Sequence, residues 1–161
     1  MKNIVFRDID IIHVQDGAAM SIHNAGTSTV SNILFDNIRV EDANQKLIDL
    51  AIFRSRYSED GTEDEREWRK LYLNGAWDGV LMIPPGQSEF HAKFRGHIIN
   101  IVFRNIQVVD GPFPYSLFYG FDTNHLVENV RIENLTLRGK KISSLQKAKI
   151  YLENTKSVIV Q

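Results

Sequence analysis

The sequence contains no cysteine. That excludes disulfide scaffolds, thiolate metal sites and thiol nucleophiles. Glycine (10) and proline (4) are sparse, which excludes collagen-like and low-complexity chains. An excess of one charge is missing as well: 19 Lys+Arg face 20 Asp+Glu, for a net charge of -1. No basic surplus points to nucleic acid or to an anionic membrane as a partner. No apolar run approaches the length of a bilayer span. Met1-Lys2-Asn3 leads straight into a strand-like pattern, so no signal peptide is read. On this chain alone those absences point to the cytoplasm without fixing a compartment. What is present is a folding composition: 161 residues, 43% hydrophobic and 24% charged, the size of one domain.

One frame occurs four times, opening at Asn3, Asn32, Asn100 and Asn129. With each opening Asn as position zero, the apolar positions are one, three, six and eight. They hold Ile4, Phe6, Ile9 and Ile11 in the first repeat, then Ile33, Phe35, Ile38 and Val40. The third repeat has Ile101, Phe103, Ile106 and Val108, and the fourth Val130, Ile132, Leu135 and Leu137. At this composition sixteen apolar residues in sixteen places arise by chance with odds on the order of 10⁻⁶, before allowing for choice of register. Steps of two, from one to three and from six to eight, each describe a strand with one face inward. The step of three between them would swing the second half outward unless the chain bends. Position five is Asp8, Asn37, Asn105 or Asn134, and Asn and Asp tolerate the left-handed backbone of a tight corner. Stacked repeats would then carry a ladder of these side chains.

A third strand follows each frame. Met20 and Ile22 alternate with Ser21 and His23; Ile48, Leu50 and Ile52 alternate with Asp49, Ala51 and Phe53. Tyr115-Ser116-Leu117-Phe118-Tyr119 and Ala148-Lys149-Ile150-Tyr151-Leu152 take the same place later, the former in an open register. Ser157-Val158-Ile159-Val160 begins a fifth turn. Three short strands per constant period describe an all-β, right-handed parallel β-helix of about four coils, spanning 1–161 as one domain. A β-sandwich has no reason to repeat a nine-residue template. The opening Asn residues are 29, 68 and 29 residues apart, so a long insertion, 54–96, interrupts the second coil. Thr62 with Glu65 predicts a short helix there, to about Leu73. Ile4 takes a core position close to the start, and Val160 ends the sequence in mid-coil. The expectation is either the remainder of a longer chain or a homo-oligomer joined through the coil ends.

The repeat, with Gly17-Ala18-Ala19-Met20-Ser21-Ile22 leading into Asn32-Ile33-Leu34-Phe35, resembles the C-terminal part of the polygalacturonase-like, pectin-degrading β-helix enzymes. The resemblance covers most of the chain outside the insertion. It implies a glycoside hydrolase that acts on an acidic polysaccharide through paired carboxylates. The catalytic motifs of that family are not matched. No Asp-Asp pair occurs, Asp122-Thr123-Asn124 is the family's Asn-Thr-Asp reversed, and Ala18 stands where its Gly-His-Gly histidine would fall. Near Ile48-Asp49-Leu50, where Arg-Ile-Lys would fall, no basic pair stands.

The residues themselves offer one candidate constellation. His23 and Asp49 lie on neighbouring third strands, both facing outward, as an acid–base pair. Ser21 shares that face. Arg54, just beyond it, is the candidate clamp for a uronate carboxylate, with pairing to the acidic run Glu63 to Glu67 as its rival role. Tyr57 and Trp77 in the insertion are candidate platforms for sugar rings, with loop anchoring as the alternative for the tryptophans. His13, Asp42 and Asp110 fall ten residues past their opening Asn and are expected to line a turn edge, capping backbone groups. The five histidines lack zinc-like spacing, and no phosphate loop or nucleophile elbow is present. No metal and no cofactor is expected. The expected ligand is a polysaccharide or oligosaccharide.

Overall fold

The computed structural model describes residues 1–55, 57–61 and 88–161. The protein is all-β and its main sheets are parallel. Long strands β1 (Lys2–Val14), β3 (Thr29–Ala43), β5 (His97–Val108) and β7 (Val127–Leu137) each carry one copy of the repeat. They pair in the order β1-β3-β5-β7, and β10 (Thr155–Val160) continues the path. The shorter strands β2 (Ala18–Asn24), β4 (Lys46–Ile52), β6 (Tyr115–Tyr119) and β9 (Ile150–Glu153) form a second parallel sheet in that order. A short β8 (Lys140–Ile142) folds back antiparallel on the end of β7, where β10 does not reach. Arg138 and Gly139, both at positive φ, make its two-residue turn. Among the described residues the one helix is α1 (Ser88–Ala92).

The register follows the template. Ile4, Ile33, Ile101 and Val130 pair in turn, as do Phe6, Phe35, Phe103 and Ile132. In the three later repeats eleven of the twelve template side chains are buried, Leu137 being half-buried, whereas in β1 they are partly or largely exposed. The core therefore runs as columns through the stack, with Phe6 on Phe35 at 4.7 Å and Phe35 on Phe103 at 4.9 Å. Ser116 and Phe118 point inward, which settles the open register of β6 and leaves Tyr115, Leu117 and Tyr119 outward.

The corners are where the repeat places them. Asp8, Asn37, Asn105 and Asn134 all have φ between 55° and 57°. The opening asparagines, used above only to set register, are corners too: Asn3, Asn32, Asn100 and Asn129 have φ of 59°, 57°, 60° and 51°. A short polar side chain makes this backbone affordable to Asn. The opening column is a continuous amide ladder, each Nδ2 donating to the preceding Oδ1 at 3.0, 3.0 and 2.6 Å. The position-five column has one departure. Asn37 donates to Asp8 (2.7 Å) and Asn134 to Asn105 (2.9 Å), but Asn105 donates to Asp36 (3.1 Å) in place of Asn37.

Asp36 draws that amide because it sits in a column of alternating charge, Arg7, Asp36, Arg104 and Glu133, on the outward face of the long-strand sheet. The Arg104 hydrogen bond (2.9 Å) does most to hold its carboxyl down; burial opposes this, and Asn105 and Arg7 add to it, leaving it at about 2 against an ordinary 3.8. The folded value is depressed, so the stability it brings is complete above 3.8 and lost as pH falls through about 2. A carboxyl-carbon NMR titration should give Asp36 a midpoint near 2, and Arg104→Gln should move it upward toward 3.8.

The insertion leaves after β4 and returns at β5. Its described ends are pinned together. Asp60 accepts hydrogen bonds from His91 (2.7 Å) and from Arg95, with all three side chains at 3% exposure or less. Arg95 also donates to the carbonyls of Ala25 and His91, tying the neck to the stack. Gly96 lies so close to Ser28 that a Cβ would come within 1.9 Å of its carbonyl oxygen. Residues 62–73, expected to hold a short helix, lie outside the described residues.

Candidate functional site

Strands β2 and β4 bring His23 and Asp49 together. Ser21 pairs with Asp49 and His23 with Ala51, so His23 reaches Asp49 diagonally, with Nε2 3.2 Å from Oδ2. Alternation puts Ile48 and Leu50 in the core and Asp49 on the opposite face. Asp49 faces outward as expected but is covered there, at 4% exposure. His23 and Lys46 cover it, and Lys46 Nζ also donates to Oδ2. Burial pushes the Asp49 carboxyl up, but the hydrogen bonds from His23 and Lys46 outweigh it and hold the group below its ordinary value. Asp49 is thus an ionised carboxylate under cover, and its Oδ1 has no hydrogen-bond partner.

The contact points Nε2 of His23 at Asp49, and because a carboxylate only accepts, a hydrogen on Nε2 faces it. The His23 side chain is 48% exposed and stands edge-on to Phe53 at 5.4 Å between ring centres. The result is a half-exposed imidazole set against a covered carboxylate, on a sheet face beside Ser21.

Lys46 is the member that residue types alone missed. Positions three apart in a regular strand lie on opposite faces. Here the pairing of β4 with β6 shifts register between Lys46 and Asp49, a bulge that lets both side chains share one face. The clue available was the short apolar run Leu47-Ile48, which does not alternate.

The other candidates are placed as follows. Arg54, read as a uronate clamp, is 4% exposed inside the neck of the insertion, where it donates to the Asp60 carbonyl (3.5 Å). That burial corrects its expected place on the candidate binding surface, and its rival partners, Glu63 to Glu67, lie outside the described residues. Tyr57 is exposed on the same neck, its backbone N–H bonded to Ser55 Oγ. Trp77 lies outside the described residues. His13 and Asp42 pair with each other at 2.9 Å and Asp110 with Arg138 at 3.4 Å, rather than capping backbone. Among the described residues, no three His, Asp or Glu side chains are grouped to hold a metal ion, and no helix is long and apolar enough to cross a membrane.

No family model, curated protein or solved structure matches the chain. The resemblance to polygalacturonase-like enzymes rests on the repeat and its residues alone.

Proposed function

We propose that the chain is a right-handed parallel β-helix that binds a polysaccharide on the outward face of its four-stranded sheet, in the manner of polygalacturonase-type glycoside hydrolases. His23 is the group that exchanges a proton with the bound sugar. The observation that carries this reading is the dyad: an ionised, covered Asp49 aimed at an imidazole that is half in solvent. In hydrolysis, His23 Nδ1 takes a proton from the attacking water, whose oxygen bonds the anomeric carbon as the glycosidic C–O bond breaks. The leaving oxygen takes a proton from solvent water and the imidazolium returns its own to solvent, so one water is added across the bond. Asp49 holds the ring in its working tautomer and stabilises the imidazolium. The parallel sheets, the 29-residue spacing and the two asparagine columns support the β-helix.

A second reading has its own observation. Among the described residues β1 has one edge without a strand partner along its 13 residues, and Val5 and Ile12 on this strand are 57% and 59% exposed. A long apolar edge is a template for association, so this reading makes the protein an assembly module whose copies join there. Calorimetric titration with a panel of polysaccharides, together with assays for released reducing ends, tests both. The first reading expects binding that His23→Ala and Asp49→Asn both weaken, with turnover lost in each. No binding and no turnover, alongside concentration-dependent sedimentation abolished by Val5→Lys, would establish the second instead.

A further inference from the structure

The same sheet face continues past the dyad. On β6 and β9 the outward residues are Tyr115, Leu117, Tyr119, Tyr151 and Glu153. Leu117 pairs with Asp49 on one side and Tyr151 on the other, and Tyr119 pairs with Ala51 and Glu153. Tyr115 and Tyr151 meet edge to face at 5.8 Å between ring centres, 40% and 63% exposed. Three phenol rings therefore stand beside the dyad, on strands spaced by about 4.8 Å. That spacing is close to the rise of one pyranose ring in an extended glycan. The C–H groups on one side of such a ring are slightly positive and meet the negative face of an aromatic ring, while its hydroxyls meet polar tips.

The charges on this face select among glycans. Asp49 and Glu153 are acidic. Lys46 is bound to Asp49, and His23 shares the same carboxylate. Lys149, just before β9, donates to the Phe113 carbonyl at 3.0 Å. Arg54 is buried in the neck. Lys46 and Lys149 are thus held by partners of their own, and Glu153 adds a negative charge that opposes a row of uronate carboxylates. Neutral sugars lose nothing by that and gain acceptors for their hydroxyls. Burial, and then the nearby Glu153, raise the Tyr119 phenol above its ordinary value, so it stays a hydroxyl that both donates and accepts.

We propose that Tyr115, Tyr119 and Tyr151 form a stacking subsite, next to the His23–Asp49 dyad, for an uncharged extended glycan rather than a polyuronate. The proposal rests on the saccharide-binding reading above and names its ligand class and direction: the sugar chain runs across the strands, from the dyad toward Glu153.

The test is calorimetric titration at pH 7 with three neutral hexasaccharides, β-1,4-linked glucose, xylose and mannose, and with hexagalacturonate. At least one neutral hexasaccharide should bind, and hexagalacturonate should not. Tyr151→Ala, at an exposed position that leaves the core intact, should weaken neutral binding roughly three- to tenfold. Tyr151→Phe, which keeps the ring, should retain it. Hexagalacturonate binding as tightly as the best neutral sugar would overturn the proposal, and so would neutral binding indifferent to Tyr151→Ala. In either case, weakening by His23→Ala would leave the saccharide-binding reading standing. If none of the four sugars binds, this proposal falls, and the polysaccharide panel above decides the saccharide-binding reading.

Discussion

Phe103→Ala should destabilise the protein by about 3–5 kcal/mol, while Phe6→Ala, at the same template position, should cost about 1 kcal/mol or less. The two phenylalanines occupy equivalent places in the repeat, so chemistry and local backbone are held constant. What differs is cover. Phe103 is fully buried between Phe35 and Ile132; Phe6 is 39% exposed on β1, where a neighbour packs on one side only. The strand around Phe103 is hydrogen-bonded to neighbours on both sides, so the backbone cannot collapse into the space a lost ring leaves. Both the transfer term and the cavity term then apply. At Phe6 solvent already reaches the ring, and removing it opens no cavity. Urea unfolding of the two variants, with slopes matching the parent, measures the difference. Equal costs would mean that the columns of stacked rings do not carry the core.

The same contrast explains what was legible in the residues and what was not. Template positions were readable because a step of three between steps of two has one simple mechanical solution, a corner at position five, and the φ values of Asp8, Asn37, Asn105 and Asn134 place it there. The opening asparagines carried an equal signal that alternation could not expose, since position zero precedes the first apolar residue and breaks no pattern. His23 and Asp49 were readable as a pair because constant spacing fixes register across neighbouring repeats. Lys46 was not, because its place depends on a bulge. Arg54 was misplaced for a different reason. Nothing in its neighbours in sequence shows that the chain turns inward after β4, and its acceptor, the Asp60 carbonyl, sits in an irregular neck. The departure at Asn105 is of that kind too. Its acceptor Asp36 belongs to the outward charge column, which the apolar template does not describe.

The neck of the insertion is where the largest electrostatic effect is expected. Asp60→Ala should cost about 3–5 kcal/mol, because it leaves the Arg95 guanidinium buried without its counter-charge. Arg95 and Asp60 are both 0% exposed in their side chains, and His91 donates to the other oxygen of the same carboxylate. The carbonyls of Ala25 and His91 still accept from Arg95, but they are dipoles and do not replace a full negative charge. The cost should therefore depend on the cation's presence. Asp60→Ala combined with Arg95→Met removes both charges and keeps most of the volume, and it should recover a large part of the loss. Hydrogen exchange locates the effect. Amides of Phe94, Arg95 and His97 should lose protection in Asp60→Ala, while those of β7 and β10 keep theirs. If the double variant is as unstable as the single one, the neck is held by packing rather than by charge. The insertion would then be joined to the stack through Gly96 and Ser28, whose close approach at that point leaves no room for a side chain.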